Sequence, residues 1–164
     1  MKTLSEYKKK IIMLGDPAVG KTSLVRRYVY NEFNDDYLTT FGTKPVKKVV
    51  ELDEDTVDLI IWDIAGHITE SLSSRYFSGA SGAVIVSDLT RKKTLESVEK
   101  WYSRVVKNEG EVPVKLLMNK SDLDEWDYDR SEIDHSEMNP SITSAKNGNN
   151  VEESFRSLAK NIIS

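Results

Sequence analysis

Apolar and polar positions in this chain fall into short buried runs and stripes of helical period, each bounded by turn residues. Residues 9–14 become steadily more apolar and stop at Gly15, the pattern of a buried strand. Residues 21–30 put Leu24, Val25 and Tyr28 on one face, which predicts a helix. Residues 31–43 have no period and are rich in Asn, Asp and Thr, which predicts a loop. Strands over 46–52 and 56–62 flank the turn Asp53-Glu54-Asp55, a hairpin. Residues 66–78 read as irregular and in part helical. Strands are expected over 82–87 and 112–118. Between them a helix over 94–107 turns Leu95, Val98, Trp101 or Tyr102, and Val105 inward. A short helix within 130–138 and a strand stub at 141–143 precede an amphipathic helix over 149–163, with Val151, Phe155, Leu158 and Ile162 on its stripe. Strands alternating with helices predict a mostly parallel sheet covered on both faces, with its ligand beyond the carboxyl ends of the strands.

The composition narrows the class. The chain has 164 residues, 38% hydrophobic and 30% charged, with 8 Gly and 4 Pro, and shows no repeat or linker. That supports one domain over residues 1–164 with a proper core. No apolar run approaches the roughly 20 residues that span a bilayer, and residues 1–10 lack a secretory apolar segment. With no Cys, disulfides, thiolate metal sites, a thiol nucleophile and Cys-borne lipid are excluded for these residues. A cytoplasmic location is expected, and residues 1–164 alone are expected not to bind membranes. The net charge of −4 is uneven: residues 122–137 hold eight acids against Arg130, a net −7, so the remainder is about neutral at +3. The pI of 5.3 argues against nucleic acid as a partner. Lys8, Lys9 and Lys10 read as a solvated lead into the first strand.

Gly15-Asp-Pro-Ala-Val-Gly20-Lys21-Thr22 fits G-x-x-x-x-G-K-[ST] between a predicted strand and a predicted helix. Successive N–H groups of such a loop cradle phosphate oxygens, and the helix start aims its positive end at them. Lys21 adds a full charge, and the Thr22 hydroxyl suits Mg²⁺. Asn119-Lys120-Ser121-Asp122 follows a predicted strand. The Asp122 carboxylate can accept two hydrogen bonds from the ring N–H and exocyclic amine of guanine, a donor pair that adenine lacks. A site left unpaired by the wrong base discriminates by about 10⁴ or more. Ser144-Ala145-Lys146 lies between the last strand and the last helix, where a main-chain N–H can meet the guanine carbonyl. In Trp62-Asp63-Ile64-Ala65-Gly66-His67, Asp63 ends a strand as a carboxylate reaching Mg²⁺ through water, and the Gly66 N–H suits a γ-phosphate. Thr40 offers a second hydroxyl for Mg²⁺.

These five elements, in this order and over essentially the whole chain, resemble the small GTPases of the Ras superfamily. Tyr37-Leu-Thr-Thr40-Phe-Gly42, Ser73-Ser74-Arg-Tyr-Phe-Ser-Gly79-Ala80, Thr143-Ser-Ala-Lys146-Asn and Asn150-Val-Glu-Glu-Ser-Phe155 are most similar to the Rab branch. The resemblance implies the P-loop NTPase three-layer α/β fold, a G domain with six strands, and a GTP/GDP switch with Mg²⁺ that hydrolyses GTP slowly unaided. A role in membrane trafficking or signalling follows. It implies nucleotide contacts from Asp16, Ala18, Val19, Gly20, Lys21, Thr22 and Ser23. Further contacts come from Phe33, which packs on the guanine, and from Tyr37, Thr40, Gly66, Asn119, Lys120, Asp122, Ser144, Ala145 and Lys146. Thr22 and Thr40 would hold the metal, with Asp63 behind them, and His67, Lys21 and Thr40 form the candidate catalytic set. An exchange factor, an activating protein and an effector are expected on residues 31–43 and 66–78 of a monomer.

Four departures from the family pattern carry their own expectations. His67 replaces the usual Gln: neutral His has one donor and one acceptor on opposite sides of a rigid ring, which suggests slow unaided hydrolysis, and two readings stay open, a water-orienting His67 or a passive, solvent-facing switch residue. Pro17 replaces Gly or Ser beside the γ-phosphate. Ile68 replaces an acid that helps exchange factors displace the loop lysine; either Glu70 substitutes for it or the exchange factor differs. Trp62 and Phe77 fit two members of the Rab effector triad, but Pro45 occupies the third. Asp122 and Ser144 are 22 residues apart, which shortens the intervening helix. Rabs continue into a tail ending in prenylated Cys, so this chain is either part of a longer protein or not lipid-anchored. Two readings of function stay open: a hydrolysing switch, or a non-hydrolysing module that stays loaded and acts as a docking surface. A P-loop ATPase or kinase is disfavoured by Asp122.

Overall fold

The computed structural model describes residues 5–34, 44–128 and 136–164. The strands are β1 (Ser5–Leu14), β2 (Pro45–Glu51), β3 (Asp55–Asp63), β4 (Gly82–Asp88), β5 (Val114–Asn119) and β6 (Ser141–Ile142). The helices are α1 (Lys21–Tyr30), α2 (Glu70–Phe77), α3 (Lys92–Glu96), α4 (Val98–Glu109) and α5 (Val151–Ile163), with a 3₁₀ turn at Ser136–Met138. The sheet runs β2-β3-β1-β4-β5-β6, with only β2 antiparallel to its neighbour.

Alternation within β1 sends Ile11 and Met13 to one face and Ile12 and Leu14 to the other, and all four are fully buried. The first face packs on α1 and α5, through Leu24, Val25, Tyr28, Val151, Phe155 and Leu158. The second packs on α2 and α4, through Phe77, Val98, Trp101 and Val105. The expected three-layer α/β architecture is therefore present. Every residue of β4 and β5 is buried, which is why both read as mainly apolar runs rather than alternating ones, with Lys115 a buried charge inside β5.

Several boundaries differ from the pattern-based expectation, each for a physical reason. β1 begins at Ser5 rather than residue 9. Its polar half, Ser5 to Lys10, pairs only with β3, whereas Ile11–Leu14 lies between β3 and β4 and alone needs to be apolar throughout. α2 is a regular helix whose buried positions are Ser73 and Phe77, and Ser73 satisfies itself on the Thr69 carbonyl at 3.1 Å. A serine at one of two inward positions leaves little periodic signal. The single helix expected over 94–107 is two helices meeting at Ser97. The Ser97 hydroxyl donates to the Lys93 carbonyl at 3.2 Å and to Asp16 Oδ2 at 2.6 Å, and serine back-bonding of this kind bends helices. β5 starts after Pro113 and includes Asn119. Of the helix expected within 130–138, residues 130–135 lie outside the described residues, and Ser136–Met138 is a 3₁₀ turn.

Phe155 is 1% exposed and stacks on Tyr28 with centroids 4.2 Å apart, joining α5 to α1. Phe155→Ala should destabilise the fold by about 3–5 kcal/mol. Urea denaturation should show a lower midpoint with an unchanged slope.

Candidate nucleotide site

Because β1, β3, β4, β5 and β6 are parallel, the segments leaving their carboxyl ends gather at one edge of the sheet. They are the Gly15–Thr22 loop, Asp63 with Gly66, Asp88, Asn119-Lys120-Ser121-Asp122, and Ser144-Ala145-Lys146. Side chains tie these segments together.

The carbonyls of five successive loop residues accept side-chain hydrogen bonds. Lys21 Nζ donates to the Gly15 and Asp16 oxygens at 2.8 and 3.0 Å. Arg91 Nη2 donates to Pro17 at 3.0 Å, Lys120 Nζ to Ala18 at 2.9 Å, and Asn119 Nδ2 to Val19 at 3.0 Å. In a trans peptide the next N–H points opposite to the carbonyl. With the Pro17, Ala18 and Val19 carbonyls held by three side chains, the N–H groups of Ala18, Val19 and Gly20 each point away from those side chains. Ala18 takes φ 65° to make this turn. Gly20 opens α1 at φ 102°, and a Cβ there would lie 2.3 Å from Asn119 Nδ2. Only glycine lets the Asn119 amide reach across the loop.

Lys21 is 6% exposed. Burial pushes its ammonium down to about 8; the Asp63 and Asp16 carboxylates oppose that shift, and Arg91 adds to it. A polyphosphate beside Nζ supplies the negative charge that favours the ammonium form. The Thr22 hydroxyl donates to Asp63 Oδ2 at 2.5 Å. A hydroxyl and a carboxylate held together are hard oxygen donors of the kind Mg²⁺ takes, so these residues fit that ion. Ser23 is half-buried in the first turn of α1. Gly66 packs so closely on the phosphate loop that a Cβ would lie 2.4 Å from the Pro17 nitrogen. His67, the next residue, is exposed.

At the other end, Ser144 Oγ donates to Asp122 Oδ1 at 2.8 Å, which orients that carboxylate. Asn119 Oδ1 accepts from Thr143 Oγ1 at 3.2 Å and from the Ala145 N–H at 3.3 Å, so this particular N–H is turned inward. Arg27 links α1 to the same turn, donating to the Ala145 carbonyl at 2.8 Å and to the Lys146 carbonyl. Phe33 is 36% exposed and lines a hollow with Arg26, Glu32 and Asn34. Tyr37 and Thr40, with the rest of 35–43, lie outside the described residues.

Sequence reasoning missed Asp88, Arg91, Arg27 and Thr143. Asp88 ends the apolar strand β4 as Asp63 ends β3, and that was the available signal. Its buried carboxylate accepts from the Thr90 N–H and Oγ1 at 2.8 and 2.7 Å and pairs with Lys120 and Arg91, each at 3.0 Å. Burial by itself raises the Asp88 carboxyl, but these bonds outweigh it and hold it below the ordinary 3.8.

A phosphate-loop α/β sheet with a base-selecting N-K-x-D loop at its carboxyl edge is the architecture of a GTP-binding domain. The Ras family model matches residues 10–164, so the chain belongs to the Ras family. It is similar to Ras-related protein Rab-7L1 of Rattus norvegicus, 36% identical over 166 residues that cover 94% of this chain and 81% of that protein. Ras-related protein Rab-13 of Mesocricetus auratus is 32% identical over 162 residues, covering 94% and 79%. The chain is thus a Rab-like small GTPase, a GTP/GDP switch with Mg²⁺ that hydrolyses GTP to GDP and phosphate. Membership implies regulation by exchange factors, activating proteins and effectors. Among the described residues no helix is long and apolar enough to cross a membrane.

Asp88→Asn should cost about 1.5–3 kcal/mol near neutral pH, because it removes the buried charged acceptor of the Thr90, Arg91 and Lys120 hydrogen bonds. A carboxyl lowered in the folded state stabilises above its ordinary value and loses that contribution as pH falls through the folded one. Denaturation midpoints of wild type and variant should therefore differ most above about pH 4 and converge below it.

Proposed function

We propose that residues 1–164 act as one switch domain in which the phosphate loop, the Thr22–Asp63 pair and the Asn119–Asp122 loop hold a single guanine nucleotide. The observation that carries this reading is the reach of Asn119 over Gly20 to the Val19 carbonyl. It ties the base-selecting loop to the phosphate loop, so that base and phosphates are bound in one fixed frame. In this reading the N–H groups of Ala18, Val19 and Gly20 and the Lys21 ammonium hold the phosphates. Ser23, Phe33, Tyr37, Lys146 and the Asp16 main chain complete the nucleotide contacts. Lys120, held by Asp88 and Ala18, presents its aliphatic stem to the base, and Asp122, oriented by Ser144, selects guanine.

Thr22 and Thr40 would hold Mg²⁺, with Asp63 accepting from their shell through water. When bound, the ion neutralises phosphate charge and favours the triphosphate geometry. Gly66 meets the γ-phosphate, and His67 orients the attacking water. Residues 31–43 and 66–78 would be the surfaces for exchange factor, activating protein and effector, on a cytoplasmic monomer acting in trafficking or signalling.

Competition binding tests the base assignment. GTP and GDP should displace a labelled nucleotide about 10⁴-fold more effectively than ATP, and equal competition by ATP would overturn it. Asp122→Asn turns an acceptor into a donor and should shift preference toward xanthine nucleotides. Ser144→Ala should weaken guanine nucleotides about tenfold, since a hydrogen bond to a charged group is worth about 1.5–3 kcal/mol.

Single-turnover hydrolysis of preloaded GTP tests the enzyme reading. An unaided rate on the order of 10⁻⁴ s⁻¹ is expected. His67→Leu should lower that rate at nearly unchanged GTP affinity, because the side chain acts in the transition state. A protein that retains GTP unhydrolysed, alone and with a cell extract supplying activators, would be a docking module instead.

A further inference from the structure

We propose that Arg104 is a positioning residue for GTP hydrolysis, acting with Trp101 and Asp16 to fix the main chain that carries residue 67 against the phosphate loop. Three contacts on α4 point to this role. Trp101 Nε1 donates to Asp16 Oδ1 at 3.1 Å, and Ser97, where α3 meets α4, donates to the other oxygen of the same carboxylate. One helical turn further on, the Arg104 guanidinium lies over the Trp101 ring at 4.7 Å. From there its Nη1 donates to the Ile68 carbonyl at 3.0 Å, a buried hydrogen bond.

These contacts close a ring. Gly66 abuts the Asp16–Pro17 peptide directly. Ile68, two residues on, is held by Arg104, and Arg104 returns to Asp16 through Trp101. Residue 67 is therefore pinned on both sides to the same loop residue, once through space and once through α4.

Stability alone does not account for Arg104. The residue is 9% exposed, and its Nε is buried without a hydrogen-bond partner among the described residues. A buried guanidinium whose acceptor is a neutral carbonyl recovers little of its lost hydration, and an apolar side chain of similar length would fill the space at lower cost. What the guanidinium adds is direction: a planar donor, stacked on an indole that is itself hydrogen-bonded, fixes one carbonyl of the segment after Gly66. An error on the order of 1 Å in placing a reacting group can cost about 10²-fold in rate. The arrangement thus bears on turnover more than on nucleotide affinity.

The inference rests on the reading of the 66–78 segment as the part that reaches the γ-phosphate, and the test separates the two. Single-turnover GTP hydrolysis and GDP dissociation would be measured on the whole chain, preloaded with nucleotide and Mg²⁺. Arg104→Met, which keeps length but no donor, should slow hydrolysis about tenfold or more and change GDP dissociation less than about twofold. Arg104→Lys, which keeps charge and a donor, should recover part of the rate. Combined with His67→Leu, Arg104→Met should slow hydrolysis no further, because one device acts through the other.

A wild-type rate for Arg104→Met overturns the proposal. So does an equal loss in both backgrounds, or a parallel loss of nucleotide affinity, since each marks a general structural role. If Arg104→Met does not fold, Arg104→Gln against Arg104→Lys decides in the same way, with equal rates counting against it. If His67→Leu alone hydrolyses like wild type, the water-orienting reading of His67 falls. Amide exchange at Ile68 and Thr69 then judges Arg104: faster exchange together with slower hydrolysis supports it, and unchanged exchange overturns it.

Discussion

A side-chain amide that is 1% exposed must find its hydrogen bonds inside the protein, and Asn119 finds them on separate loops. Its nitrogen reaches the phosphate loop at Val19, and its oxygen receives the Thr143 hydroxyl and the Ala145 N–H. Both halves of the site depend on this one side chain. The reach is possible because Gly20 has no Cβ, so a glycine usually explained by phosphate approach is equally required by the base-selecting strand. The two motifs are 100 residues apart in sequence and are joined at this bond.

Around that centre the loop is built from outside by cations. Lys21, Arg91 and Lys120 reach the carbonyls of residues 15–18, and Asp88 holds two of these three cations in place. Engaging the carbonyls turns the amides toward a ligand, and the same side chains add positive potential where a polyphosphate would lie. The buried Asp88 carboxylate keeps that cationic edge from becoming repulsive, with hydrogen bonds from Thr90 making its own burial tolerable.

The helix pair α3–α4 serves the site from behind. At the junction of the two helices the Ser97 hydroxyl donates to Asp16, and the Trp101 indole donates to the same carboxylate. α4 thereby touches both the phosphate loop and the segment after Gly66, two regions that a nucleotide switch must move in concert.

Much of this was legible in the chain itself. The runs that became β4 and β5, the stripes of α1 and α5, and the order of the five nucleotide elements are local patterns, set by burial period and by motif spacing. They imply the α/β class and the site's place at the carboxyl edge. What periodicity could not show depends on partners remote in sequence. The polar half of β1 is a strand because β3 lies beside it, and α2 hides an inward serine that bonds its own turn. Arg91 and Arg27 look like surface charges until the fold brings them to loops 74 and 119 residues away, and Asp88 gains its role only when Lys120 of the next strand's loop pairs with it. Asp16 reads as one more loop residue until Ser97 and Trp101 close on it. Local periodicity fixes which face of each element is buried; only the packing of those faces decides which polar side chains must satisfy one another, and here that pairing shapes the candidate site.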